Sequence, residues 1–130
     1  MEYYRISFSS EYYKKEYAIE IDEENERKIS ERIEELSESR NDFTVNNLKV
    51  DYIDKLVSFS LIRALEHGKI SFQNAIVSHI VYGTDSTHLV KKYELGKMLI
   101  KSFNVGSEGN LSSIEVVFNF GHDIIKITGE

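Results

Sequence analysis

Four histidines, His67, His79, His88 and His122, are the side chains in this 130-residue chain best suited to proton transfer near neutral pH or to holding a metal. No two of them stand three or four residues apart, the helical spacing that puts two imidazoles on one zinc ion. There is no cysteine, so thiol catalysis and a disulfide framework are both excluded. Asp85 with His88, and His122 with Asp123, fall in turn-like stretches where either pair could meet a serine, but no Gly-x-Ser-x-Gly elbow exists to raise one as a nucleophile. Glycine spacing fits neither a phosphate-binding loop nor a dinucleotide fingerprint. Glu34-Glu35 lie on an exposed helix, where neither burial nor a partner tunes a carboxylate for acid–base work. These residues point away from an enzyme and imply no catalytic residue, cofactor or metal.

The elements that carry these residues make one domain spanning 1–130. At 41% hydrophobic content the chain is long enough to bury a core without cross-links or metal. No apolar run approaches the roughly 20 residues of a membrane helix. The start, Met-Glu-Tyr-Tyr-Arg, lacks the basic segment and apolar run of a signal peptide, so the expectation is a cytoplasmic protein whose export would need a dedicated machine. Net charge is -6 and localised: Glu16 to Glu38 holds ten acids against Arg27, Lys28 and Arg32, while residues 39 to 130 hold ten of each sign. A nucleic-acid binder would concentrate lysine and arginine instead. The acidic stretch reads either as a solvated helix face or as a docking face for a basic partner, with Glu31, Glu34 and Glu35 as the contact candidates.

Along the chain, Tyr4, Ile6 and Phe8 alternate with polar neighbours, and Tyr13, Tyr17, Ile19 and Ile21 return on one face, which predicts a first hairpin. Asp22 is the N-cap candidate for an acidic helix running to about Ser39, with Ile29, Ile33 and Leu36 as a narrow apolar stripe. Phe43, Val45, Leu48 and Val50 suit a short strand interrupted at Asn46-Asn47, where a bulge costs little. A second helix, capped by Asp51 or Asp54, runs to His67 and stops at Gly68. Its apolar arc holds Val57, Leu61, Ile62, Ala64 and Leu65 with Ser58, whereas Leu56 and Phe59 fall on the polar side next to Arg63, which marks them for a second contact, either with a neighbouring loop or with another subunit. Ile70 to Tyr82 is apolar on both faces. Leu89 to Leu95 returns to Gly96, and a hairpin follows with Leu99, Phe103 and Val105 opposite Ile114, Val116, Phe118 and Phe120. Gly121-His122-Asp123 forms a turn into a last strand, Ile124 to Thr128. The expected class is α+β: a mainly antiparallel β-barrel of two packed sheets, a flanking helix and an additional N-terminal acidic helix.

From Phe43 onward the order of features resembles the haemolysin-coregulated protein (Hcp) family, the tube component of bacterial type VI secretion systems. The residues that carry the resemblance are Asp54-Lys55, Ser58, Ser60, Leu61, Ala64 and Leu65 closing on Gly68-Lys69, then Tyr93-Glu94-Leu95, then Leu99 to Val105, and finally Ser113 to Gly121 with Ile124 to Ile127. Residues 1 to 42 depart from the family pattern, with a charged helix where the family has strands and an extended loop. The resemblance implies a subunit that forms rings, hexameric in the family, which stack into an exported tube; a phage tail-tube relative shares the architecture. It implies no catalytic residue, other secretion-apparatus proteins or effectors as partners, and burial of Leu56, Phe59, Met98, Ile100 and Val117 between subunits. The competing expectation is a small acidic binding module, an immunity or adaptor protein, that engages a basic partner through Glu31, Glu34 and Glu35.

Overall fold

The computed structural model describes residues 1–12, 14–36, 42–119 and 124–129, and no side-chain detail of Leu36. Its elements are β1 (Glu2–Ser10), β2 (Glu16–Ile21), α1 (Glu23–Leu36), β3 (Phe43–Lys49), α2 (Lys55–Glu66), β4 (Ser71–Tyr82), β5 (Thr87–Val105), β6 (Leu111–Asn119) and β7 (Ile125–Thr128). Every strand pairing is antiparallel, and the ladders join all seven strands into one sheet in the order β2-β1-β4-β5-β6-β3, with β7 paired to β5. The fold is therefore a mainly antiparallel α+β one. Where two packed sheets are expected from sequence, a single continuous sheet is found.

Alternation does most of the local work. In β1, Tyr4, Ile6, Phe8 and Ser10 are buried while the residues between them are half-exposed, and in β2 Tyr17, Ile19 and Ile21 are buried opposite them. Phe8, Tyr17 and Phe72 of β4 form an aromatic cluster with centroids 4.9 to 5.9 Å apart, the separation at which offset and edge-on rings attract. The core continues through Val77, Tyr93, Leu95, Val116 and Phe118, and is closed by Ile29 and Ile33 of α1 and by Leu61 and Leu65 of α2. Tyr13, Phe120, the Gly121-His122-Asp123 turn and the end of the acidic helix near Ser39 lie outside the described residues.

Bulges decide which residues face that core. Between Ile100 and Ser102 the β5 register against β6 slips by one residue, so Ile100 faces Val116 and Phe103 faces Ile114, both inward. One extra residue reverses the side-chain phase of a strand. Met98 and Ile100, expected on a face shared with a neighbouring subunit, are consequently 0% and 1% exposed inside the core, and Leu99 turns outward. That expectation is corrected. Similar slips occur in β3 between Val45 and Leu48, with Asn47 at φ +52, and in β4 beside Asn74 at φ +56. Asparagine tolerates this left-handed conformation better than most residues. Gly96 does not end a strand: at φ +94 it stays paired with Ala75 inside the 19-residue β5.

The two ends of the strand order are brought near each other. Glu20 of edge strand β2 makes an isolated bridge to Tyr52, just beyond β3, through Glu20 N–H to Tyr52 C=O at 2.8 Å and Asp51 N–H to Glu20 C=O at 2.8 Å. A sheet whose opposite ends meet this way must curl. The curl leaves α2 packed beside β2 and α1 beside β3.

Candidate functional site

Helix α2 begins at Asp54, whose Oδ1 accepts from the backbone N–H groups of Leu56 at 3.0 Å and Val57 at 3.2 Å, and it gives way to Gly68 at φ +77. The cap fixes the rotational phase of the helix. Ser58, Leu61, Ala64 and Leu65 are buried, and the buried Ser58 Oγ accepts the backbone N–H of Leu111 at 3.0 Å, pinning α2 to the start of β6. Leu56, Phe59 and Arg63, at helical spacing i, i+3 and i+7, then share the opposite face.

Leu56 and Phe59 are 79% and 61% exposed. They lie along a groove of about 990 Å³ whose other walls come from Lys15 and Tyr17 of the first hairpin and His67 and Lys69 beyond the helix. No carboxylate lines it. Its three constant cations rest on aromatic rings: Arg63 over Phe59 at 5.7 Å, Lys69 over Tyr12 at 4.5 Å and Lys15 over Tyr17 at 6.0 Å. None of the three is ion-paired among the described residues. The surface is apolar in the middle and cationic at its rim, and it can bury large side chains while drawing in carboxylates.

Around the corner of α2 a second groove of about 730 Å³ crosses the outer face of β1, β2 and β4. Its lining includes Arg5, Glu16, Glu20, Tyr52, Asp54 and Ile76. Tyr52 is exposed, and no ion pair neutralises Glu16 or Glu20 among the described residues. Nothing in the alternation of the sequence singles out Tyr52, because it lies between β3 and α2; Lys15 and Lys69 join the α2 face only through the tertiary fold.

The remaining sequence candidates separate clearly. Val117 faces outward between Leu99 and Thr44 but is 9% exposed, too covered by its neighbours to offer much area. On α1, Glu31 pairs with Arg27 at 3.2 Å and Glu35 with Arg32 at 3.8 Å, exposed pairs that contribute little and exchange readily. Glu34, itself still exposed, is engaged across to the sheet: it accepts from Tyr93 Oη and from Lys126 Nζ, each at 2.8 Å. The Lys126 ammonium, then the Tyr93 hydroxyl, hold its carboxyl below the usual carboxylate range, and burial first, then Glu34, push Tyr93 up. Beside it Lys91 reaches Glu26 at 3.4 Å and donates to Ser30 at 3.3 Å, so α1 is clamped on β5 and β7 by polar contacts as well as by Ile29 and Ile33. Glu34 is thus a tether from α1 to β5 and β7, whereas Glu31 and Glu35 pair within α1; all three stay exposed.

The described histidines, His67, His79 and His88, do not converge. His79 stacks on Tyr4 at 4.5 Å and meets Glu2 at 3.1 Å, while His67 caps α2. His88 Nε2 lies 2.8 Å from Ser86 Oγ beside an exposed turn, with no carboxylate on the ring among the described residues. Such a Ser–His pair lacks the orienting acid and the sheltered site that make serine a nucleophile. No group of three His, Cys, Asp or Glu side chains among the described residues could hold a metal. No helix among the described residues is long and apolar enough to cross a membrane. Compared with known proteins, the chain matches no family model, and no curated protein and no solved structure shows a significant similarity to it.

Proposed function

We propose that this chain is a structural subunit that self-associates into rings, and that the rings stack into the inner tube of a type VI secretion or related contractile injection apparatus. In this reading the curled sheet is the barrel wall of the subunit, and α2 on its flank carries the contact to the next copy. The tube is exported by its own machine, carries effectors, and performs no catalysis. The observation that supports it is the exposure of Leu56 and Phe59 on α2, side by side over a groove that the other described residues leave open. Each gains about 1.5–3 kcal/mol when fully covered, which gives assembly an apolar driving force. The stretch from Asp54 to Lys69, which carries much of the family resemblance, is the same stretch that builds this face.

Light scattering coupled to size exclusion tests the reading. The wild-type chain is expected to run as a ring-sized assembly at high concentration, with rings in negative stain. Phe59→Glu is expected to leave circular dichroism and stability unchanged within about 0.5 kcal/mol, because Phe59 supports no core, and to release monomers. A wild-type chain that stays monomeric at every concentration overturns the proposal. If that monomer binds a basic protein and loses it on Glu31→Lys or Glu35→Lys, the acidic binding module replaces it.

A further inference from the structure

The groove on α2 needs a mate, and its composition restricts what the mate can be. Its centre is apolar, its rim is Lys15, Arg63 and Lys69, and it contains no acid. Two such grooves facing each other would set three cations against three cations without a counter-charge, a repulsion that like-to-like contacts avoid. The mate must present a bulky side chain surrounded by carboxylates.

The chain itself has such a feature. Tyr52 is 59% exposed on the link between β3 and α2, where its backbone is fixed by the bridge to Glu20. The second groove, which Tyr52 lines, also carries Glu16, Glu20 and Asp54, against one guanidinium, Arg5. Asp54 caps α2 by accepting two backbone hydrogen bonds through Oδ1. An exposed tyrosine on a backbone held by hydrogen bonds loses little entropy on docking, and tyrosine and arginine are the side chains that most often dominate an interface.

We infer that Tyr52 of one copy, with Glu16, Glu20 and Asp54 of the groove it lines, docks into the Leu56–Phe59–Arg63 groove of a second copy. The phenol ring covers Leu56 and Phe59, and the carboxylates meet Arg63, Lys69 and Lys15. The two surfaces are different: where each groove takes the tyrosine of the next copy the contact is heterologous and repetition closes a ring or extends a fibre, whereas two copies that exchange tyrosines close a twofold pair. This inference rests on the self-association proposed above and names the contact that carries it.

Two variants of the full chain test it: Arg63→Glu with Lys69→Glu, which reverses the rim, and Tyr52→Ala, which removes the knob. All three sites are on the surface, and circular dichroism verifies that each variant is folded. Each variant alone is expected to lose association by about tenfold or more and to run as a monomer. Mixed in equal amounts they are expected to form a one-to-one pair and no larger species, because the intact tyrosine of the first fits the intact groove of the second and nothing remains to extend the chain. If the wild type assembles and either variant alone still assembles equally well, the contact is refuted while the ring reading stands. If the wild type stops at a dimer that both variants lose, the contact stands and the ring reading fails. A wild-type chain that never associates removes both.

Discussion

Ser58 is the polar member of the buried face of α2, and its hydroxyl caps the Leu111 N–H at 3.0 Å where β6 begins. Replacing it with alanine strands a buried donor, at a cost of about 1–3 kcal/mol. Denaturant unfolding is expected to show that loss for Ser58→Ala and almost none for Ser60→Ala, whose side chain is only partly covered. Tyr4 supplies a pH signature. Burial, followed by the carboxylates of Glu2, Glu23 and Glu26, pushes its phenol from 10.0 up to about 12. The folded state therefore holds that proton more tightly than the unfolded one, so its contribution is intact below pH 10.0 and is lost as pH rises through about 12. Stability is expected to fall by up to about 2–3 kcal/mol more in the wild type than in Tyr4→Phe across that window, measured by denaturation on either side of it.

Among the elements, β5 shows how one inserted residue redistributes a strand. Strict alternation from Leu99 through Phe103 to Val105 puts Met98 and Ile100 outside, yet the slip at Lys101 puts both inside; Val105, beyond a second slip after Asn104, is exposed. Ile100→Ala is accordingly expected to cost about 2–5 kcal/mol, the range for truncating a buried aliphatic side chain. Leu99→Ala, on the outer face, is expected to cost clearly less; equal losses in denaturant unfolding would contradict the register. Helix α1 follows a different rule. Few of its described side chains are buried apolar ones, and the Glu34–Tyr93–Lys126 and Glu26–Ser30–Lys91 contacts supply the rest of its attachment.

At the scale of the whole molecule, the curl of one sheet brings Glu20 to Tyr52 and places a cationic, apolar-centred groove and an acid-bearing one lined by Tyr52 on either side of the start of α2. The two surfaces are what make self-association testable by mixing variants, as set out above. Much of this is legible in the residues. The first hairpin, the Asn46-Asn47 interruption, a cap at Asp51 or Asp54, the Gly68 stop and the place of Leu56 and Phe59 outside the apolar arc all follow from periodicity and capping chemistry, which act over a few neighbouring residues. Local periodicity therefore carries most strand positions, the rotational phase of α2 and the lack of spaced metal or nucleophile motifs, but not the continuity of β5 through Gly96. Long-range contacts alone set which way Met98 and Ile100 face, that seven strands make one sheet, that Glu34 meets Lys126 and Tyr93, and that Lys15 and Lys69 join the α2 face. The physical reason is that a bulge depends on the register of the partner strand, and an ion pair or a groove depends on segments as many as 92 positions apart meeting in space, neither of which leaves a local periodicity to read.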